Sequence, residues 1–357
     1  MRNIFKNIIS RKKPSKPNLT RGYFENLIQQ DGQIRISGWM LCPTKKLDFF
    51  VLYINQKKVG SVPVTERQDV AKALPLMPFA INSGFFFSIP WHQEINNEMV
   101  DIRVAGTAEG KEVSHMETWY RSDLYTCLPT PPSHLMKRVA ANDNPNFYLI
   151  TGLQTYREYW TTLCKYKDPL SINSMLDWGC GCGRVVGFFL KFSNIRNICG
   201  CDIDTEAVQW CRDSLKPAEF SAIPLYPPTA YLDNTFDLII SFSIFTHLSR
   251  EVQFAWLQEM RRILAPGGLF LTSVHGEFAS WFCFSDNAEK ILKNGIYEQV
   301  DNSLDGIAPA GYYKGVFQKK EYTLKEWSRY FEIIEYGEGK ANYYQDLVVM
   351  KKHLDTR

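Results

Sequence analysis

Residues 174–190 admit few folds. Ser174-Met175-Leu176-Asp177-Trp178 is a short apolar run of strand length. It leads directly into Gly179-Cys180-Gly181-Cys182-Gly183-Arg184, and a helical apolar run, Val185-Val186-Gly187-Phe188-Phe189-Leu190, follows. Glycines let the backbone turn sharply and let a ligand approach the main chain. The helix N-terminus then offers unpaired N–H groups. Strand, glycine-rich turn and helix in that order open a parallel α/β sheet with a ligand site at its strand ends.

The next strand, Asn197-Ile198-Cys199-Gly200-Cys201, ends at Asp202, nineteen residues beyond Gly183. At that spacing an acidic side chain meets a ribose diol. Ile203 follows, and Asp204 is placed to cap a helix over Thr205–Leu215. Further strands are expected at 236–241, 269–274, 331–335 and 346–351, with helices from Ser249 to Leu264 and from Tyr322 to Tyr330. Strands alternating with helices call for a mostly parallel sheet covered on both faces.

The glycine turn departs from the dinucleotide fingerprint. Its sixth position is Arg184, where a third fingerprint glycine would stand. Asp177 precedes the first glycine by two residues. A carboxylate there repels a pyrophosphate and suits an ammonium group. A nicotinamide-dependent dehydrogenase is therefore disfavoured, and a ligand with an amino acid end and no phosphate fits better.

The segments LDWGCGCGRV, CDID, FDLII and LAPGGLF, in this order, resemble the class I S-adenosylmethionine-dependent methyltransferase family over about residues 125–351. The resemblance implies a Rossmann-like seven-stranded α/β sheet whose last strand is antiparallel and inserted between the fifth and sixth. It implies S-adenosyl-L-methionine as cofactor. Asp177, Gly179, Cys180 and Gly181 would line its methionine end, with Asp202 and Ile203 at the ribose. Ser221, in Phe220-Ser221-Ala222, would lie by the adenine, and Ser241 would end the fourth strand beside the cofactor. The implied activity is methyl transfer to O or N of a small molecule or a sugar unit. The alternative is a non-catalytic cofactor-binding scaffold.

On the acceptor side, His247 follows the fourth strand and His275 the fifth. A neutral histidine there can take a proton from a hydroxyl or amine. His275 is the first expectation for that base and His247 the second. Each could instead serve only to hold its own turn. Residues 277–321 are too long for an ordinary strand-to-helix connection. They carry Trp281, Tyr312 and Tyr313, which are expected to form a lid and substrate pocket, or a small core of their own. No His/Asp/Glu cluster with metal-ligand spacing is visible, and the C-x-C pairs at 180/182 and 199/201 do not match a zinc site.

The first half has another character. Residues 21–122 read as a smaller all-β unit, a sandwich or jelly roll, from short alternating segments at 32–39, 49–54, 58–62, 84–89 and 99–104. Gly38-Trp39, Arg67-Gln68-Asp69-Val70 and Gly84-Phe85 resemble an accessory β domain that accompanies some bacterial glycosyltransferases and methyltransferases. Such a unit would act as a scaffold, an oligomerisation surface or a glycan-binding module. Residues 123–170 then supply a stiff Pro129-Thr130-Pro131-Pro132 linker and helices around 133–139 and 155–164, and residues 171–353 form the catalytic domain.

Charge adds limits. Residues 1–20 hold six basic and no acidic residues, so the rest of a chain of net +3 carries about −3 and gives no basic footprint for nucleic acid. Those twenty residues form a basic tail, or a short amphipathic helix (Ile4, Phe5, Ile8, Ile9) on an anionic membrane. No apolar run spans a bilayer and no secretory signal is seen. Nine cysteines, an odd number in so large a chain, suggest free thiols in the reducing cytoplasm.

Overall fold

The computed structural model describes residues 20–91, 99–284, 287–302 and 306–353. The basic tail, apart from Thr20, lies outside the described residues. No described helix is long and apolar enough to cross a membrane.

The N-terminal unit contains strands β1 (Arg21–Gln30), β2 (Gln33–Leu41), β3 (Phe49–Ile54), β4 (Lys57–Pro63) and β5 (Thr65–Glu66), a short helix α1 (Gln68–Ala73), then β6 (Asn82–Pro90), β7 (Val100–Ala108) and β8 (Lys111–Tyr120). They pair into two antiparallel sheets, β1-β2-β6-β5 and β4-β3-β7-β8. Phe85 of β6 meets Phe24 of β1 and Phe50 of β3 edge-on, at 5.9 and 5.3 Å between ring centres, so apolar residues of both sheets share one core. β1 and β8 were not expected from the sequence. β1 lacks clean alternation because its outer residues are themselves half-covered by the catalytic unit.

Helices α2 (Ser133–Ala140) and α3 (Pro145–Tyr166) lead into the second unit. Asn144 caps α3, its side chain accepting from the Asn146 and Phe147 amides. The first half of α3 is buried on nearly every face. That erases the amphipathic period and explains why only residues 155–164 read as helix.

The second unit runs β9 (Ser174–Trp178), α4 (Val186–Phe192), β10 (Asn197–Asp202), α5 (Thr205–Ser214), β11 (Glu219–Ala222), β12 (Phe236–Ile240), α6 (Arg250–Ile263) and β13 (Leu264–Val274). After the insertion come α9 (Lys320–Trp327), β16 (Glu332–Ala341) and β17 (Gln345–Lys351). The seven strands lie in the order β11-β10-β9-β12-β13-β17-β16. β17 is antiparallel to both of its neighbours. This is the expected arrangement, with the last strand inserted between the fifth and sixth. β13 begins at Leu264, five residues earlier than expected. Pro266-Gly267-Gly268 sits inside it, where the pairing register shifts against β12.

The insertion is ordered by pairing. It holds α7 (Glu277–Phe284), α8 (Ala288–Ile291) and the antiparallel pair β14 (Ile296–Val300) and β15 (Lys314–Gln318). β15 also bonds to the segment after β12: the Lys314 amide donates to the His247 carbonyl at 3.0 Å, and Val316 to Thr246 at 2.8 Å. α7 packs Phe278, Trp281 and Phe282 against Trp39, Leu41, Val70 and Met77 of the N-terminal unit.

Candidate active site

The carboxyl ends of β9, β10 and β12 open into a cavity of about 550 Å³. Asp177 closes β9 and lines it, only 3% exposed. Burial pushes its pKa up to about 7; nearby Asp202 adds to the rise and Arg184 opposes it. The loop that follows needs its glycines. Gly179 has φ +76° and a Cβ there would lie 2.1 Å from Ile244; Gly181 has φ +52° and a Cβ would lie 2.4 Å from Val139. The Gly179 and Cys180 amides both donate to the Cys201 carbonyl, at 2.8 and 3.0 Å.

Asp202 ties this loop to its own turn. Its Oδ2 accepts from the Gly181 amide at 2.7 Å and its Oδ1 from the Asp204 amide at 2.9 Å. Burial raises its pKa and the backbone donors hold the rise back. Asp204 caps α5 as expected, accepting from the Glu206 and Ala207 amides. It also holds Arg138 of α2 at 2.9 Å.

Arg184 is the residue the sequence reading undervalued. Its guanidinium lies 5.2 Å from the Phe242 ring centre and lines the cavity. Burial lowers its pKa. Among the described residues it makes no hydrogen bond or ion pair, and Asp177 is not its partner. Arg184 is half-buried, and a cation drawn partly out of water without a counter-ion is costly. Two opposite charges that do not pair with each other, in the wall of one cavity, suit a zwitterionic ligand. The signal was present at the sixth position of the glycine string.

The structure sorts the remaining expected residues. Gly179, Cys180, Gly181, Asp202 and Ile203 line the cavity with Asp177. Ser221 and Ser241 do not. Ser221 pairs with the Tyr231 hydroxyl at 2.8 Å, and Ser241 is fully buried against Thr272 at 2.6 Å. Ile223, Ser243 and Ile244, two or three positions further along, line the wall instead. Tyr312 and Tyr313 line the cavity; Trp281 does not, because α7 turns it toward the N-terminal unit.

The two histidines are also separated. His247 lines the cavity, stacked on Tyr313 at 4.0 Å and 13°. Its Nδ1 lies 3.0 Å from the Lys314 carbonyl, so Nδ1 carries the hydrogen and Nε2 keeps a lone pair. Burial lowers its pKa to about 4. His275 is not among the lining residues. It stands 6.2 Å behind His247, stacked on Phe317, and burial lowers its pKa to about 3. The preference for His275 is thus reversed: β15 lies across the end of β13 and covers it.

Several lining residues had no sequence signal. Tyr23 comes from β1, Phe147 and Thr151 from α3, and Asn342, Tyr344 and Gln345 from the β16–β17 turn. That turn is fixed from both sides. Asn342 donates through its amide to Glu158 at 2.8 Å, and the Tyr343 hydroxyl accepts from the Glu117 amide of β8 at 2.6 Å.

Comparison with known proteins agrees with this geometry. Residues 175–268 match the model of a family described as a methyltransferase domain. Among solved structures, a methyltransferase from Methanosarcina mazei is similar at 17% identity, covering 54% of this chain and 98% of its own, with TM-score 0.41. One from Mesorhizobium loti has 16% identity, 54% and 97% coverage and TM-score 0.40. One from Clostridium acetobutylicum has 11% identity, 62% and 97% coverage and TM-score 0.42. The strand order, the glycine loop and the matched stretch define a class I methyltransferase domain. The chain carries a methyltransferase domain over the matched stretch, and such a domain acts on an acceptor substrate.

Proposed function

We propose that the protein methylates a hydroxyl group of a small-molecule acceptor, with His247 as general base. The observation that carries this reading is the bond from His247 to the Lys314 carbonyl, which leaves Nε2 free on a ring that lines the cofactor's own cavity. Asp177 and Arg184 hold the ammonium and carboxylate of the cofactor. Asp202 takes the ribose, and Ile203 and Ile223 flank the base. Residues 123–353 make up the catalytic unit, residues 21–122 the β unit, and the hairpin within 277–321 serves as the lid.

The bound cofactor supplies a methyl group on a sulfonium, already a strong electrophile. The protein's contribution is alignment and exclusion of water. Bound there, S-adenosylmethionine would give its methyl to the acceptor oxygen and leave as a neutral thioether, and His247 Nε2 would take the hydroxyl proton. A sugar acceptor is the second reading. It is favoured by a polar groove between the β unit and α3, where Asp101, Arg103, Glu117 and the Arg157 of α3 stand beside Trp119 and Tyr53.

The test is calorimetric titration of S-adenosylhomocysteine, followed by an acceptor screen with wild type and His247→Gln. Cofactor binding with turnover that His247→Gln slows is expected. Equal turnover by the variant would remove His247 from the mechanism.

A further inference from the structure

We propose that the acceptor is a planar aromatic alcohol of the phenol type, bound in a chamber that the N-terminal β unit helps to wall. The inference rests on the hydroxyl-methylation reading and specifies its substrate class.

Beyond the cofactor residues the cavity is lined by Tyr23, Phe147, Phe242, Tyr313 and Tyr344. These rings are held in place before any ligand arrives. Tyr23 meets Phe147 edge-on at 5.5 Å and Trp39 at 5.7 Å. The Arg21 guanidinium lies 4.5 Å from the Tyr23 ring centre and 4.4 Å from that of Tyr344. Tyr313 is stacked on the base. Aromatic walls of fixed orientation favour a flat ring through edge and face contacts.

The polar groups around this chamber are largely occupied with one another. Gln345 donates to Ser243 at 2.8 Å and accepts from Ser273 at 2.7 Å. Asn342 donates to Thr155 at 2.7 Å, leaving only its Oδ1 without a partner, the Tyr344 hydroxyl pairs with Cys283 at 3.2 Å, and the Tyr23 hydroxyl accepts from Arg21 at 2.9 Å. A sugar brings a hydroxyl on nearly every ring carbon, and each one buried without a partner is costly. A ring with one hydroxyl, aimed at His247 Nε2, asks for far less.

Acidity points the same way. An imidazole lowered to about 4 is a weak base. It is better matched to a phenolic hydroxyl, near 10 as in tyrosine (about 10), than to the much less acidic hydroxyl of a sugar. Arg21 contributes as well. It is 8% exposed, its Nε and Nη1 have no hydrogen-bond partner, and it stands one tyrosine ring away from the chamber. A poorly solvated cation so near favours the negative charge that builds on the acceptor oxygen as its proton leaves.

The experiment is a binding measurement on the full chain saturated with S-adenosylhomocysteine, with 2-naphthol and methyl glucoside as probes. Naphthol is expected to bind and methyl glucoside not to. Tyr23→Ala and, separately, Phe147→Leu should weaken naphthol at least tenfold with unchanged S-adenosylhomocysteine affinity, and Tyr23→Phe should bind naphthol nearly as wild type does. Preference for methyl glucoside, binding of neither probe, or naphthol affinity indifferent to both ring substitutions would overturn the assignment. Failure of S-adenosylhomocysteine itself to bind is read before either probe is added; it would overturn the methyl-transfer reading and this one with it.

Discussion

Asp202 Oδ2 accepts the amide hydrogen of Gly181 at 2.7 Å, so the carboxylate proposed to receive the ribose also shapes the glycine loop. Its other oxygen accepts from Asp204. Asp202→Ala removes both backbone bonds along with the proposed ribose contact. S-adenosylhomocysteine affinity is expected to fall by about 1.5–3 kcal/mol, the range for hydrogen bonds to a charged group, and the melting temperature to fall with it. Asp202→Asn keeps an oxygen acceptor, so it should recover much of the stability and little of the affinity. Calorimetry and thermal melts separate the two effects. An Asn variant that binds as tightly as wild type would take Asp202 out of the ribose site.

Cofactor affinity should depend on pH through Asp177. Its pKa is raised to about 7, and only the ionised form pairs with an ammonium group. As pH falls below about 7 the carboxylate protonates, and affinity should drop by up to about tenfold per unit. Above that point this group adds no further change. Asp177→Asn should bind weakly at every pH and flatten the profile. Dissociation constants on either side of neutrality check this; a flat wild-type profile would rule out the pairing.

How much of this was legible beforehand follows from how local each feature is. The order of the seven strands was implied by the family resemblance of four segments; Asp177, Gly179, Gly181 and Asp202 stood out because their spacing around one strand–turn–helix unit is itself the signal. Arg184 stood in the same string, but its half-buried place in the cavity wall without a counter-ion is something no local pattern displays. Tyr23 and Tyr344 are more than three hundred residues apart in sequence and come together around Arg21. The sequence puts His275 just ahead of His247 as the base, although both simply follow strands and little local to either separates them. The pairing of β15 across the end of β13 separates them, and long-range strand pairing leaves no mark on either histidine's neighbours.

Buried carboxyl groups should give stability a pH signature as well. Glu158 accepts from the Asn342 amide, and burial raises its pKa to about 7. Its folded value lies above its unfolded one, so the folded state binds the extra proton. Stability from this group is present in acid and lost as pH rises through neutrality, by an amount on the order of 1–3 kcal/mol. Glu158→Gln should remove that loss and make the variant relatively more stable at alkaline than at acid pH. Denaturant melts of both proteins across the range test it, and parallel pH profiles for the two would contradict it.

Trp281 provides the remaining test, because sequence and structure assign it different work. The sequence suggested a pocket residue. The structure buries it to 8% exposure, 5.4 Å from Phe282, in a cluster with Trp39, Leu41 and Val70 of the β unit. Trp281→Ala should therefore cost about 3–5 kcal/mol of stability, as for large aromatic truncations in a core. S-adenosylhomocysteine affinity, measured well below the melting temperature, should stay as in wild type, since α7 packs away from the glycine loop. Trp281→Phe should lose much less, the ring still filling most of the space. The opposite pattern, unchanged melting with impaired acceptor binding, would return Trp281 to the pocket. It would also mean that α7 moves when an acceptor arrives, loosening the contact through which the β unit and the insertion hold one another.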